Sequence, residues 1–154
     1  MQFEREFVVP LSPENVWDVL WNIEAMMKCV QGCAEAVVIE EKKRYKALII
    51  EKVGPFKLEI PLDIEIGETV IGRSIQMRAF GKDSHIGTEV ILDLVLELDR
   101  QGDQTHCRLT VDAGVVGRLA SLGQGVIKLK GKQSMNHFAE SLLIYLNANA
   151  EECK

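Results

Sequence analysis

Hydrophobic and polar residues alternate along much of the middle of the chain. In residues 56–66, an apolar series that begins with Phe56 and Leu58 alternates with charged residues such as Lys57 and Glu59. This period of two is typical of a β-strand with one buried and one solvent-exposed face. The same alternation recurs before and after this segment. It predicts six strands, namely Ala34–Glu40, Tyr45–Val53, Phe56–Ile66, Ile71–Phe80, Thr88–Leu98 and Thr105–Val116.

The breaks between these strands are short and rich in polar residues or glycine. They fall at residues 41–43, 54–55, 67–72, 81–83 and 101–103. Connections of this length and composition favour hairpins, so we expect an antiparallel meander. Such a sheet normally has one face on the core, and its apolar face therefore needs a cover.

The first thirty residues predict one strand and two short helices. Phe3–Val9 alternates as a half-buried strand does. Ser12 is a favoured helix cap, and it is followed by a proline and a glutamate that suit the first helical turn. A second helical stretch runs from Ile23 to about Val30 and stops at Gly32. Helices this short are not stable alone, so both are expected to dock on the sheet.

The longest helical pattern comes last, from Arg118 to Ala148. No proline interrupts it, and apolar residues such as Ile127, Met135 and Phe138 recur at helical spacing. We therefore predict an α+β helix-grip fold. A strongly curved, seven-stranded antiparallel sheet would surround the long C-terminal helix, with two short helices after the first strand. The length, without any linker or repeat, predicts a single domain over residues 1–154.

Small residues on the sheet-facing side of the last helix raise the question of a cavity. Gly123, Gly125 and Gly131 would each cost up to about 1 kcal/mol relative to alanine in a helix interior. Either a strand backbone comes very close to them, or the helix leaves space for a ligand. In the second case the predicted ligand contacts are apolar, namely Leu58, Ile60, Leu62, Met77, Leu92, Leu94, Val111, Ile127, Gly131, Met135 and Phe138.

The start of the same helix carries a second apolar stripe among basic residues. It is rotated by roughly half a turn from Phe138 and Leu142, and residues 118–132 contain no acid. Such a stripe fits a membrane surface or an acidic partner. Alternatively, the helix bends near Gly131, or the stripe packs under the short helices or against a second copy of the protein. The predicted contact residues are Arg118, Leu119, Leu122, Val126, Lys128, Leu129, Lys130 and Lys132.

Composition and charge exclude several classes of protein. The net charge of −5 argues against nucleic-acid binding, which normally needs a basic surface. No apolar run reaches the roughly 18 residues that span a bilayer. The N-terminus has neither the basic nor the apolar region of a signal peptide. These features predict a cytoplasmic protein.

Candidate catalytic and metal-binding chemistry is sparse. The three histidines are scattered, and no phosphate-binding glycine motif is present. Cys29 and Cys33 have the spacing of one helix face rather than of a Cys-x-x-Cys turn, and we expect them and Cys107 to be unreactive. Cys153 lies in a charged tail, where an adventitious intermolecular disulfide could form. We predict no metal, no cofactor and no catalysis.

Five short segments carry a resemblance to a known family. They are Pro13–Trp17, Cys29–Cys33, Lys52–Phe56, Gly87-Thr88 and Gly117–Gly123, and they occur in this order along almost the whole chain. Together they resemble the family of the carbon monoxide dehydrogenase G subunit (CoxG), within the START-like, or SRPBCC, superfamily. The most specific parts are Val-Gly-Pro and Gly-x-Leu-Ala-x-Leu-Gly.

The resemblance implies a helix-grip fold, an apolar cavity and an accessory role rather than catalysis. That role is to help a molybdenum-containing dehydrogenase reach the membrane, with a quinone-like lipid as an implied ligand. This chain departs from the family pattern at Gln31, where proline is usual, and at Ile86, where glycine is usual. The family motifs mark no catalytic or metal-binding residue.

Three functions remain open on the sequence. The first is a non-enzymatic carrier of an apolar lipid or quinone-like molecule. The second is a recruitment adaptor with a packed interior, which binds a partner or the inner face of the membrane through the basic start of the last helix. The third is a START-like enzyme, for which Arg5, Tyr45 and Glu51 are the available interior polar residues.

Overall fold

The computed structural model describes the backbone of residues 1–152 and the side chains of residues 1–149, so that Cys153 lies outside the described residues. The helices and strands follow the predicted order. They are β1 (Gln2–Val9), α1 (Pro13–Leu20), α2 (Ile23–Lys28), β2 (Cys33–Glu40), β3 (Arg44–Val53), β4 (Phe56–Val70), β5 (Ser74–Asp83), β6 (Thr88–Gln101), β7 (Gln104–Gly117), a 3-10 helix (Arg118–Leu122) and α3 (Gln124–Glu152).

The seven strands form one antiparallel sheet in the order β1-β7-β6-β5-β4-β3-β2. The six strands β2 to β7 follow one another as hairpins, and β1 pairs with β7, so β1 and β2 are the two edges. The curved sheet faces the long helix α3, and two short helices follow β1. The predicted α+β helix-grip architecture is therefore confirmed.

The strand register places the apolar residues on a common inner face. Ile64 pairs with Ala79, Ala79 with Leu92, and Leu92 with Ala113, so one row crosses four strands. Their polar neighbours in sequence point to the other face, because successive side chains of a strand alternate. The faces assigned from the period of two are confirmed throughout this part of the sheet.

The short helices begin where the sequence predicts. The Ser12 side chain accepts a hydrogen bond from the backbone N–H of Asn15 at 3.4 Å, and the Asn22 side chain accepts one from Ala25 at 3.3 Å. These caps satisfy N–H groups that a helix leaves without internal partners. The rings of Trp17 and Trp21 meet edge to face at 5.7 Å, which packs the residue that caps the end of α1 against the middle of that helix.

The last helical pattern is two helices and not one. A 3-10 helix ends at Leu122, Gly123 has a φ of +90°, and α3 begins at Gln124. That backbone conformation favours glycine, because it has no Cβ to clash. The prediction of one helix from Arg118 is wrong, and Gly123 lies outside the helix interior. The spacing of apolar residues continues across the break, which is why the pattern concealed it.

Several strand boundaries differ from the sequence prediction, since β4 continues past Ile66 to Val70 and β6 continues past Leu98 to Gln101. Residues 71–73 form the turn between β4 and β5, so β5 begins at Ser74 rather than Ile71, and Ile71 is 84% exposed. The predicted break at residues 81–83 lies inside β5, where Gly81 pairs with Val90 and Asp83 with Thr88. Polar and glycine residues here belong to a paired strand, because hydrogen bonds to β6 continue through them.

Candidate ligand-binding cavity

A cavity of about 380 Å³ lies between the inner face of the sheet, α2 and the first half of α3. The second half of α3 closes the core, since Leu142 and Leu146 are fully buried against β1 and α1 together with Val9 and Val16. Toward the start of the helix, the inner face includes Lys130, Gly131 and Ser134 beside its larger apolar residues. The filled end of the core therefore lies against the second half of α3, and the hollow end lies against its first half.

All eleven residues predicted as ligand contacts line this cavity. They come from β4, β5, β6, β7 and α3, and most carry aliphatic side chains: Leu58, Ile60, Leu62, Met77, Leu92, Leu94, Val111, Ile127, Gly131, Met135 and Phe138. The strand residues share the inner face because they occupy every second position of their strands and pair with one another across the sheet. The helix members recur at three- and four-residue spacing and so share one face of α3.

The sequence reasoning missed a wall of the cavity that the short helices provide. It consists of Leu20, Trp21, Ile23, Met26, Met27 and Val30. Helix α2 packs beside the edge strand β2, and its methionines cover the hollow end of the sheet. The sequence analysis expected α2 to dock on the sheet. It did not predict that the docked helix would cover a cavity. Methionine suits such a wall, because its side chain adapts to different shapes.

Gly131 lies directly against the ring of Phe3. A Cβ added to Gly131 would stand 2.3 Å from Phe3 Cζ and 2.7 Å from Cε1, which is far inside van der Waals contact. Phe3 is itself a lining residue and occupies the space that a side chain at 131 would take. Close packing explains this glycine, although the group that approaches it is the ring of Phe3 and not the strand backbone that the sequence analysis expected. The ring of Phe3 fills the space beside Gly131.

One part of the cavity rim is charged. Lys130 Nζ donates to Glu51 Oε1 at 2.9 Å, and the two side chains are only 22% and 18% exposed. Gln31 lies at the same rim, and Ser134 lines the cavity one helical turn further along α3. The prediction that Lys130 belongs to an outer basic surface is therefore wrong. Its spacing from Ile127 and Ser134 already placed it on the inner face of the helix.

The other polar residues considered for catalysis do not converge on the cavity. The Tyr45 hydroxyl accepts a hydrogen bond from the Lys42 N–H at 2.7 Å, and burial raises the pKa of this phenol. Arg5 is exposed at the sheet edge. Within residues 1–149, no three side chains of His, Cys, Asp and Glu come together as a metal site would require.

The outer stripe predicted at the helix start is divided by the break at Gly123. Leu119 is 5% exposed and packs with Val53 and Leu58, so its assignment as a surface contact is wrong. The 3-10 helix turns it inward, where a straight α-helix would have left it outside. Leu122 is half-buried over the 53–58 hairpin, whereas the remaining members are exposed on the surface: Arg118, Val126, Lys128, Leu129 and Lys132.

Two buried polar side chains hold the loops at this end of the sheet. The Asp83 carboxylate accepts N–H groups of Glu59 at 2.8 Å, His85 at 2.9 Å and Ile86 at 3.3 Å. These bonds, the one from Glu59 foremost, lower the pKa of Asp83. Thr88 Oγ1 accepts the N–H of Leu119 at 2.9 Å and so positions the 3-10 helix over the cavity.

A second depression, of about 860 Å³, lies on the solvent face of β3 to β6. Its walls carry exposed ion pairs, such as Lys82 with Glu89 at 3.8 Å and Lys46 with Asp63 at 3.8 Å. Charged groups that already pair with each other across strands fit a solvated sheet face. The apolar inner cavity is the better candidate for a binding site.

A curved antiparallel sheet that surrounds a long helix and a cavity defines the START-like class of folds. The family model for the carbon monoxide dehydrogenase G subunit (CoxG) matches residues 6–147. The chain belongs to this family. START-like and CoxG proteins are generally ligand-binding rather than catalytic. Among the described residues, no helix is both long enough and apolar enough to span a membrane.

Similar solved structures support the same fold. A conserved protein from Geobacillus kaustophilus has a TM-score of 0.83 at 20% identity, with 95% of each chain covered. A START superfamily protein from Mycobacterium smegmatis has a TM-score of 0.68 at 12% identity, covering 94% of this chain and 96% of its own. TTHA0849 from Thermus thermophilus scores 0.67 at 15% identity, with 100% and 99% covered. No curated protein matches the chain significantly.

Proposed function

We propose that the protein is a non-enzymatic carrier that holds an apolar small molecule in the inner cavity. The observation that carries this proposal is the cavity wall, which is almost continuously apolar around about 380 Å³. Ligand sites typically enclose about 300–1,000 Å³. Protein interiors contain few voids larger than a water molecule, so a hollow of this size is not an ordinary packing defect.

The proposed ligand is a lipid or a quinone-like molecule. The eleven lining residues predicted from sequence would supply most of its contacts, and apolar burial at about 25 cal/mol per Å² would drive binding. The family name supports an accessory role beside a carbon monoxide dehydrogenase, which the proposal takes to be a molybdenum-containing enzyme. Binding and release, with no bond made or broken, are then the whole activity of the protein.

Native mass spectrometry of freshly purified protein, followed by organic extraction, tests the carrier function. We expect a stoichiometric apolar molecule, or uptake of an apolar fluorescent probe by the protein freed of its ligand. A ligand-free mass together with no probe binding at micromolar concentration would contradict the proposal.

A matched pair of variants locates the binding. Leu94 lines the cavity, whereas the next residue, Val95, points to the opposite face of β6. Leu94→Trp should fill the cavity and weaken probe binding at least tenfold, because the indole takes the space of the ligand. Val95→Trp adds the same ring outside, and binding should stay within about twofold of the wild type. Equal effects of both substitutions would place the probe elsewhere.

A specific observation favours a second function, recruitment to an anionic membrane surface. Val126 is 44% and Leu129 is 59% exposed, and Lys128 and Lys132 flank them in a protein of net charge −5. Apolar residues among lysines suit the headgroup region of anionic lipids. This surface lies next to the cavity, since Ile127 and Lys130 of the same turns line it.

Sedimentation with anionic vesicles tests this surface. Lys128→Glu with Lys132→Glu should abolish sedimentation, because the substitutions replace attraction to the lipid by repulsion. The control is Lys43→Glu with Lys46→Glu, which makes the same charge change around the start of β3, whereas the 3-10 helix lies over the end of that strand. This control should leave binding almost intact. Equal losses in both double variants would show that only net charge matters.

A further inference from the structure

The inner face of β3 contains a glutamate where its pattern calls for an apolar residue. Tyr45, Ala47, Ile49 and Val53 share this face, and Glu51 interrupts the series. Its partner Lys130 reaches it from the opposite wall, since α3 lies across the cavity from β3. The pair therefore spans the rim between helix and sheet.

The chain approaches this carboxylate closely from a third side. A Cβ on Gly32 would stand 2.6 Å from Glu51 Oε2 and 2.6 Å from the Ile50 carbonyl oxygen, and Gly32 has a φ of +83°. The Ile50 N–H donates to the Gly32 carbonyl at 2.8 Å, which pins the two segments together. Glu51 is thus confined between the ammonium group of Lys130 and the backbone that follows Gln31.

Stability alone does not explain an ion pair in this position. Charges that lose most of their hydration gain little net free energy from pairing, and well-packed apolar residues of similar size do as well or better. Apolar packing is available at this point of the sheet, because Glu51 pairs with the buried Leu58 of β4. A function in ligand recognition accounts for the pair, because these two residues are the charged part of an otherwise apolar cavity.

We propose that Glu51 and Lys130 bind the polar head of the ligand, and that the ligand is an apolar body with one uncharged head, such as a carbonyl, ester or hydroxyl group. This inference rests on the proposed carrier function. An ammonium group has three N–H donors, and its bond to Glu51 uses one of them. The Lys130 ammonium can donate to a head-group oxygen, and the Glu51 carboxylate can accept from a hydroxyl.

Because the Glu51–Lys130 pair carries no net charge, it favours ligands with an uncharged head group. Hydrogen bonds with one ionised partner are stronger than those between neutral groups, so an uncharged head gains from either residue. A charged head loses its hydration at the rim, which costs free energy. Because the charges of Glu51 and Lys130 already compensate each other, the pair attracts a charged head only weakly and offsets little of this cost. The intact pair should therefore select against both anionic and cationic ligands.

The size of the cavity guides the choice of probes. A volume of about 380 Å³ corresponds to roughly a dozen water volumes of about 30 Å³ each, which suits a ring or a chain of about ten carbons. The probes are decan-2-one, decan-1-ol, decanoate and decylamine, which share the chain and differ in the head. Their affinities are measured by displacement of an apolar fluorescent probe near pH 7.5.

The wild type should bind the ketone and the alcohol at least tenfold more tightly than decanoate or decylamine. Glu51→Gln leaves the ammonium uncompensated and should shift preference at least tenfold toward decanoate. Lys130→Met leaves the carboxylate and should shift preference toward decylamine. The double variant Glu51→Gln with Lys130→Met should retain chain binding, lose the added affinity for the ketone and the alcohol, and shift toward neither charged head. If Lys130→Met does not fold, Glu51→Gln and the double variant decide the question.

The outcomes separate this inference from the carrier function. If all proteins bind the apolar probe and show the same order of head groups, the head-group site is wrong and the carrier function stands. If the wild type binds neither the fluorescent probe nor any ten-carbon compound, both fail. If the order changes with each substitution as described, both are supported.

Discussion

The ring of Phe3 lies against the backbone of Gly131, so that this ring takes up the space between strand β1 and helix α3 that a side chain at position 131 would need. Gly131→Ala should therefore destabilise the protein, although alanine is the better helix former. The added Cβ would stand 2.3 Å from Phe3 Cζ, and overpacking of this kind costs about 1–3 kcal/mol, against a gain of up to about 1 kcal/mol in helix propensity. Chemical denaturation measures the difference.

Gly125 supplies the matched control for this substitution. It lies in the same helix, and an added Cβ would meet nothing within 4 Å. Gly125→Ala should stabilise the protein by about 0.5–1 kcal/mol. Combining Gly131→Ala with Phe3→Leu should recover part of the loss, because the smaller side chain makes room. Equal changes at both glycines would mean that Phe3 does not restrict Gly131.

The hydrogen bond from Leu119 to Thr88 holds the 3-10 helix over the cavity. Thr88→Val removes the acceptor and leaves a buried N–H unpaired, at a cost of about 1–3 kcal/mol. We expect faster hydrogen exchange at Leu119 and faster release of a bound probe. Thr105→Val is the control, because Thr105 is equally buried and bonds to the Leu11 carbonyl instead. It should lower stability similarly, without changing the release rate. Equal release rates would contradict a role of Thr88 at the cavity.

Asp83 should make stability depend on pH in the acid range. Its folded-state pKa lies below the ordinary 3.8, so its contribution is present above that value and is lost as pH falls from 3.8 through the folded-state pKa. Asp83→Asn should lower stability at pH 7 by about 1–3 kcal/mol, since the amide satisfies the backbone N–H donors poorly.

The difference in unfolding free energy between Asp83→Asn and the wild type, measured by chemical denaturation, should become smaller below pH 4. Asp63→Asn is the control, because that side chain is exposed beside Lys46 and should change stability by less than about 0.5 kcal/mol. A gap that stays constant from pH 7 to pH 3 would show that the charge of Asp83 does not contribute.

The three described cysteines are free thiols, and burial raises the pKa of each. For Cys107 the pKa rises to about 12, so almost no thiolate is present near pH 8. Of these three thiols, Cys33 should be alkylated first in the folded protein because it is half-buried, and Cys107 should react only on unfolding. Peptide mapping after a timed iodoacetamide pulse measures each site. Early modification of Cys107 would contradict its burial.

The inner faces of the strands could be read from the sequence because the period of two leaves only two assignments for each strand. Once Leu92 faces inward, Leu94 follows, and their pairing with Ala113 and Val111 aligns the next strand. The eleven lining residues followed from this parity and from the helical spacing. Composition and period are local properties, so no long-range contact was needed to find them.

The break at Gly123, the inward turn of Leu119 and the Phe3–Gly131 contact could not be obtained in the same way. Each depends on a partner more than thirty residues away or on a local backbone conformation that helical spacing does not reveal. Asp83 was missed for a related reason. A polar residue at the end of a strand looks like a turn until the N–H groups that surround it are known.

By itself the sequence determined the helix-grip architecture, the apolar inner face of the sheet and the family, because alternation and motifs are properties of residues that are close together in the chain. Only the tertiary structure decided where the interior stays hollow, how α2 covers it and that Lys130 pairs with Glu51. These features depend on the distance between elements that are far apart in sequence. Packing sets that distance, and side-chain volumes on both sides determine it together.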